Sequence, residues 1–586
     1  MRKLHRTLYC IEWPWPRFTN PVRAVRRLDR TQPYGKTNMN NAEQNEARKV
    51  HEEPTFGKYT DPQAQIAKLG IFFAIRGVIA SRPCILPWSY SEKPPKVWTE
   101  LMDSGADMAQ FISKDAFAQK LKGAHQKEGI YTSKLGWVDG SFVSLAELKN
   151  GQKEVIVNPD LLEVAAGHFG CAGTLDEYRV QVLRRALKSR YAALALLMAL
   201  GAALQLHLSD QGEGVIVNLA GESSTGKTTV LRVGKSVYGP GSHLLSWDST
   251  PRAFVEAAAA LSDVFMPIDD LDKKSSETGF GRKFGVLTHM LTTGASKAYS
   301  TSVREILPDY RWSCTAMTGC RTTVDNMAGF SREKNERVRC LDIEVPAPAA
   351  GGIWDLRDPH DNPQHLTDEL KAAALTYYGT LMPAWLAIIQ QDGMLKRLRK
   401  LHDEWVDSSG VDQTDGIGHR VAKKFGIWRA AGLVAVRKRL LPWTEEFVED
   451  VINVMYANAR RTLYSRELLV FDGLNKALAA GKLDRKTKVP VGQTPIVPQA
   501  EVKRSFIEAD KPKTWNVSLP RFNSFFGDSE TARDALRKLE EIGIVTKGTD
   551  GKTTRQVRVV IDGEPRRTRF LKINGPKLQA LVRKGA

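Results

Sequence analysis

The sequence lacks any C-x-x-C pair among its six cysteines, at 10, 84, 171, 314, 320 and 340, so no zinc knuckle is written in it. Sparse, unpatterned thiols suit a reducing cytoplasm better than a disulfide framework. Cys314 and Cys340 read as small buried apolar residues. No apolar run reaches the ~20 residues that a membrane span needs. The longest, Ala192 to Leu206, is interrupted by Gly201 and reads as a buried helix. Arg2, Lys3, His5 and Arg6 are followed by no apolar stretch, so no secretory signal is expected. Internal repeats are lacking too. Acid is short: 66 Asp and Glu face 85 Lys and Arg, a net charge of +19. Such a surplus attracts polyanions, nucleic acid first among them.

At 586 residues, roughly three to five domains are expected, at about 100–200 residues each. Residues 1–60 read as a basic, disordered arm, or the first part as untranslated sequence ahead of a true start, with Met39 the next candidate. Residues 61–205 read as an N-terminal α+β domain, with short strands and a turn around Asp139-Gly140. In 206–345 three short β-branched runs, Gly214–Leu219, Val264–Ile268 and Ser313–Met317, alternate with helical stretches. That alternation argues an α/β sheet with helix crossovers. Residues 346–480 read as helical, 481–500 as a Pro/Gly/Lys linker, and 501–586 as a helix (530–542) followed by two basic strands, the pattern of a winged helix.

The chemistry begins at Gly221, Glu222, Ser223, Ser224, Thr225, Gly226, Lys227 and Thr228, with Thr229 after them. This is G-x-x-x-x-G-K-T between a strand and a helix, the context that gives a P-loop its meaning. The glycines let backbone N–H groups turn toward phosphates. The helix N-terminus adds partial positive charge. Lys227 is expected to reach the β/γ-phosphates of ATP, and Thr228 to offer its hydroxyl to Mg²⁺. Downstream, Asp269 and Asp270 end an apolar strand. Asp269 is expected to hold Mg²⁺ and Asp270 to polarise the attacking water. Asp270 is a methylene shorter than the Glu usual there, so Asp272 is a second candidate for that role. Thr318 ends the third strand, either as a γ-phosphate sensor or as a turn cap. Arg339 precedes another apolar strand, either as an arginine finger reaching a neighbouring subunit or as half of an ion pair.

Lys297 and Arg304 bracket a hairpin pattern, Lys297-Ala-Tyr-Ser-Thr-Ser-Val-Arg304. In the last domain Arg555, Arg558, Arg566, Arg567 and Arg569 crowd the two strands against two acids, Asp562 and Glu564. A wing so charged contacts phosphates without reading sequence.

The spaced set Tyr131, Leu135-Gly136-Trp137, the P-loop, Trp247-Asp-Ser-Thr250, Asp269-Asp270, Thr318-Gly319, Val338-Arg339 and Arg420 resembles a domain-of-unknown-function family of helicase-like ATPases from phages, plasmids and other mobile elements. The likeness runs over roughly residues 90–440. It implies an AAA+ core with a helical lid, Arg339 as finger, Arg420 as a nucleotide-sensing lid arginine, and a homo-hexameric ring. The ring would pass single-stranded DNA along the Lys297–Arg304 hairpin, while the winged helix holds duplex. The expected function is an ATP-dependent, self-loading replicative DNA helicase. Two alternatives stay open: an ATP-driven switch acting on protein partners, and a DNA-binding regulator with a weak ATPase.

Overall fold

The computed structural model describes residues 54–584 other than 63–65, 76–77, 80–82, 107–111, 145–148, 151–152, 210–212, 273–279, 297–309, 327–333, 412–414, 465–473, 475–486, 491–492, 495, 497–504, 509–512, 527–528, 548–552 and 562–563. The basic arm before residue 54, the Lys297–Arg304 hairpin and most of the 481–500 linker therefore lie outside the described residues. The chain divides into two compact units, residues 1–460 and 461–586.

The first unit opens with a mixed sheet of β1 (Thr55–Thr60), β2 (Ala67–Phe72), β3 (Cys84–Pro87), β4 (Glu128–Thr132) and β5 (Lys153–Val157), in the order β3-β2-β1-β4-β5 with Lys149–Asn150 at its edge. One face packs Phe56, Leu69, Ile71 and Leu86 with Val97 and Leu101 of α1 (Pro94–Asp103) and Phe117 and Leu121 of α2 (Lys114–Lys122). A short hairpin, 136–138 with 141–143, turns at Asp139 and Gly140, both at positive φ.

Next comes α3 (Arg190–Ala202), with Ser189 as its cap; Tyr191 through Ala202 are all buried. It packs against α4 (Lys227–Lys235) and the sheet behind it. Among the described residues no helix is long and apolar enough to cross a membrane.

The second sheet is wholly parallel: β6 (Val215–Ala220), β7 (Leu245–Ser246), β8 (Phe265–Asp269), β9 (Thr315–Cys320) and β10 (Cys340–Glu344), ordered β7-β8-β9-β6-β10. Every residue of β6 is buried. A strand covered on both faces reads as a continuous apolar run, which is why Val-Ile-Val was legible as buried. Crossovers run through α4, α5 (Pro251–Ala260) and α6 (Phe280–Thr293). The remainder is helical, including α7 (Met394–Ser408), α8 (Gly416–Arg437) and α9 (Glu445–Leu463).

The second unit holds a five-stranded sheet: β11 (Thr487–Val489), β12 (Ser505–Glu508), β13 (Thr514–Ser518), β14 (Thr554–Ile561) and β15 (Glu564–Asn574), ordered β11-β12-β13-β15-β14. Helix α10 (Ser529–Glu541) lays Ala532, Ala535 and Leu539 on Trp515, Leu571 and Ile573. The expected helix and hairpin are present. The sheet around them is larger than the two strands read from sequence, because β13 pairs along β15 from Thr514↔Asn574 to Ser518↔Phe570.

Candidate functional site

β6 ends at Ala220 and α4 begins at Lys227, so residues 221–226 make the whole turn. Two of them are left-handed, Ser224 at φ 64° and Gly226 at φ 94°. Glycine takes that conformation without strain. A Cβ on Gly226 would also fall 2.8 Å from Ile353, and one on Gly221 2.8 Å from the Val345 carbonyl oxygen. The Ile353 N–H donates to the Thr225 carbonyl at 3.0 Å, so the loop leans on the segment after β10. Glu222, Ser223 and Ser224 are exposed, Thr228 is half-buried and Thr229 is buried. Lys227 Nζ curls back and donates to the carbonyl oxygens of Gly221 and Glu222, both at 2.6 Å. Burial pushes the Lys227 pKa down. Asp272 and Cys320 counter that, Arg321 pushes it down further, and Asp269 counters again. An anion in the loop can take over from the two carbonyls and favours the charged ammonium.

Three carboxylates lie along the same edge. Asp269 closes β8 and accepts the Asp270 N–H through Oδ1 at 2.9 Å. Asp270, at φ 66°, has Oδ2 3.4 Å from Ser246 Oγ at the end of β7. The Asp272 Oδ1 accepts the Arg321 N–H at 2.5 Å, just past β9. The Cys320 thiol, raised to about 12 first by burial, also donates to Asp272.

Thr318 is not at the end of its strand. β9 runs on to Cys320 because it pairs with β6 as far as Ala220↔Cys320. Thr318 is fully buried, and its Oγ1 accepts the Trp247 indole N–H at 2.9 Å. That bond anchors Trp247 against Phe254 and Phe284 beneath the sheet edge. Thr250 of the same motif caps α5 through the Ala253 N–H.

Arg339 and Arg420 meet at the opposite end of β6. The Arg339 carbonyl accepts the Ile216 N–H. From Ile216 to Gly221 the strand advances roughly 17 Å at about 3.3 Å per residue. Arg339 Nε lies 3.9 Å from Glu213 Oε1, Arg420 donates to both Glu213 oxygens, and Lys424 Nζ is 3.8 Å from Oε2 while donating to the Gly214 carbonyl at 2.8 Å. Burial raises the Glu213 pKa, but Lys424, Arg420 and Arg339 outweigh it and the net shift is down. Burial drives Lys424 down to about 8. Gln205, Ser209, Glu213, Arg420 and Lys424 line a cavity of about 230 Å³ there. Arg420 thus lies with Glu213 ahead of β6, at the other end of that strand from its own chain's glycine loop. Arg337, two residues before Arg339, is buried in an ion pair with Asp325 at 3.0 Å.

In the second unit Arg558, Arg566, Arg567 and Arg569 are exposed on the β14–β15 hairpin. Arg558 stands directly opposite Arg567, and Gln556 opposite Arg569. Arg555 is partly buried and donates to Asn516 Oδ1 at 2.8 Å. Lys297 and Arg304 lie outside the described residues.

Sequence reasoning passed over Arg321 as a site neighbour, read Trp247 only as part of the resemblance, and passed over Asp263, which lies ahead of β8 and away from the glycine loop. Arg321 follows the buried strand directly, a position that could have drawn attention. The other two act through bonds across 71 and 126 residues, to Thr318 and Trp137, which no local pattern announces.

Residues 90–306 match the family model described as "Domain of unknown function (DUF927)". A solved structure described as "SCCmec type IV Cch - active helicase" superposes with a TM-score of 0.56 at 15% identity, over 90% of this chain and 95% of that one. A second, "The A form apo structure of NrS-1 C terminal region-CTR", gives a TM-score of 0.25 at 12% identity over 69% of this chain and 92% of that one. No curated protein sequence matches. The first likeness, at that identity, is one of fold: this chain shares the mixed α/β architecture of that structure.

Proposed function

We propose that this chain is an ATP-dependent DNA helicase or translocase with an AAA+ core, of the replicative kind carried by mobile genetic elements. The observation that carries the reading is the strand order. β9 is inserted between β6, which feeds the G-x-x-x-x-G-K-T loop, and β8, which ends in Asp269. Numbered by chain order within the sheet, this is 5-1-4-3-2, the order of AAA+ ATPases. Lys227 is held within the loop and is free to exchange two carbonyls for phosphate oxygens.

Mg²⁺ fits the donors present: the Thr228 hydroxyl and the Asp269 carboxylate are hard oxygens, and such sites leave most positions to phosphate and water. When bound it neutralises charge on the transferring phosphoryl group. Arg339, directed away from its own loop, suits a finger that reaches a neighbour in a head-to-tail hexameric ring. The exposed arginines of the β14–β15 hairpin suit a winged helix gripping duplex phosphates. The family match over residues 90–306 and the solved helicase-like fold support the class of protein.

The test is Mg²⁺-ATP hydrolysis with and without single-stranded DNA, with Lys227→Ala as the blank. Stimulation by DNA that the blank lacks is expected, with strand displacement in a forked duplex. Turnover indifferent to DNA would sink the helicase reading and favour a protein-directed switch. Binding without turnover would favour a regulator.

A further inference from the structure

A second concentration of positive charge lies away from the glycine loop, ahead of β6. Arg339, Arg420 and Lys424 gather on Glu213, and Lys423 lines the same cavity as Glu213, Arg420 and Lys424. Ion pairs that serve stability alone match charge for charge, because an uncompensated buried charge is costly. Here the match fails at the most buried member. Lys424 is buried, donates to the Gly214 carbonyl at 2.8 Å, and lies 3.8 Å from Glu213 Oε2. Burial drives its pKa down to about 8; Glu213 offsets that, and Arg420 and Arg339 add to it. A further negative charge would relieve the cluster.

There is room for one. The cavity measures about 230 Å³, several water volumes at about 30 Å³ each. The Arg420 side chain on its wall is 34% exposed, so the space is reached from solvent. Ser209 lines it with a hydroxyl. Gln205, also in the lining, is buried and donates its side-chain N–H to the Glu213 carbonyl at 2.6 Å. Its Oε1 is buried with no hydrogen-bond partner among the described residues. Cationic donors for an oxyanion and an acceptor for a hydroxyl thus line one space.

We infer that this cavity is a second phosphate-binding site, in which Glu213 holds the place of the phosphate when none is bound. A guanidinium fork pairs with carboxylate or phosphate alike, so Arg420 keeps a partner through the exchange. A phosphate group brings about two negative charges and three acceptor oxygens, against the single charge and two oxygens of Glu213. The hydroxyl of a monoprotonated phosphate suits Gln205 Oε1. Two sources present this chemistry: phosphate free in solution, and the terminal phosphate of a nucleotide held by a second copy of the chain. The site stands without the ATPase reading above; only the second source rests on it.

The experiment uses the full chain carrying Lys227→Ala, which disables the glycine loop, and titrates it with tripolyphosphate by calorimetry at fixed salt. Binding elsewhere on a chain of net charge +19 is a background common to every variant, so the differences carry the test. Adding Arg420→Gln, at a partly exposed position, is expected to weaken the tightest binding by about tenfold or more, the loss of a charged hydrogen-bonding partner. Adding Glu213→Gln is expected to tighten it by up to about tenfold, since the competing carboxylate is gone. An Arg420→Gln protein that binds like its parent overturns the inference. So does a folded Glu213→Gln protein whose binding is unchanged or weaker, because a merely structural Glu213 gives that result. Thermal melts without anion identify a variant that fails to fold, and the other variant then decides. The source is read by sedimentation with Mg²⁺ and a non-hydrolysable ATP analogue, with Lys227 intact. For a nucleotide on a second copy, Glu213→Gln is expected to assemble at a several-fold lower concentration than wild type, and only with the analogue present. Equal assembly beside a kept difference in tripolyphosphate binding assigns the site to free phosphate. Wild type that binds no ATP would bring down the ATPase reading and leave the tripolyphosphate result standing.

Discussion

Gly136 shows how much one missing side chain can decide. Its φ is +84°, and a Cβ there would fall 2.4 Å from Asp263 Oδ2 and 2.6 Å from the Ser262 carbonyl oxygen. The close approach exists because Asp263, fully buried, accepts the Trp137 N–H at 3.0 Å and the Ser262 hydroxyl at 2.9 Å, with Lys134 Nζ at 3.7 Å. Burial raises the Asp263 pKa, against Lys134 and those hydrogen bonds. Trp137 is held further by its indole N–H on the Ala203 carbonyl and by its edge contact with His207. The hairpin at 136–143 is thereby fastened to the residue that leads into β8. Gly136→Ala is expected to destabilise the first unit by about 2–3 kcal/mol, from overpacking together with the left-handed backbone. Urea unfolding followed by tryptophan fluorescence measures it, and an unchanged midpoint would mean the latch is slack. The triplet Leu135-Gly136-Trp137 was visible in the sequence as a mark of resemblance. Its cause was not, since Asp263 is 126 residues away and looks like any acid in a turn.

At the scale of elements, periodicity and length served well for buried strands and less well for their ends. Val215–Ala220 and Phe265–Asp269 fall within a residue of the apolar runs that announced them. β9 does not: Thr318-Gly319 reads as a polar stop, yet pairing with β6 carries the strand to Cys320, while pairing with β8 ends at Thr318. Tertiary pairing overrides a local polar signal there, and Thr318 lies inside the strand with its Oγ1 accepting the Trp247 indole N–H. The β14–β15 hairpin was legible as alternating basic strands. What the register adds is that Arg558 and Arg567 face each other. Like charges directly opposite destabilise a hairpin, each pair shifting stability by about 0.2–1 kcal/mol. A phosphate backbone removes that repulsion. Arg567→Glu is therefore expected to stabilise the second unit by a few tenths to about 1 kcal/mol while weakening duplex binding by about tenfold, a loss of roughly one phosphate contact and a new repulsion. Thermal melts and fluorescence anisotropy at fixed salt give the two signs. A variant that loses stability and keeps DNA affinity would remove the hairpin from the interface.

For the whole molecule the decisive feature is polarity along the parallel sheet. The glycine loop, Asp269 and Asp272 lie at the C-terminal ends of its strands. Arg339, Arg420, Lys424 and Glu213 lie at the other end of β6. Composition gave only the surplus of positive charge, and the resemblance gave only a role for Arg339. Neither could show that Glu213 gathers three cations, because those residues are spread from 213 to 424. If Arg339 acts as a finger, the roughly 17 Å of strand between it and its own loop means that it serves a neighbour's nucleotide. Arg339→Ala and Lys227→Ala proteins are each expected to lose DNA-stimulated hydrolysis, by about 10³-fold for a finger. Arg339→Ala should still bind ATP, since its own loop is intact. Mixing the two inactive proteins is then expected to restore measurable turnover. In a mixed ring some intact loops of Arg339→Ala subunits face intact fingers of Lys227→Ala subunits, whereas a finger acting within its own chain leaves every mixture dead. Phosphate release titrated against mixing ratio, with its maximum at an intermediate ratio, separates these cases. A flat baseline would return Arg339 to the simpler role of an ion-pair partner for Glu213.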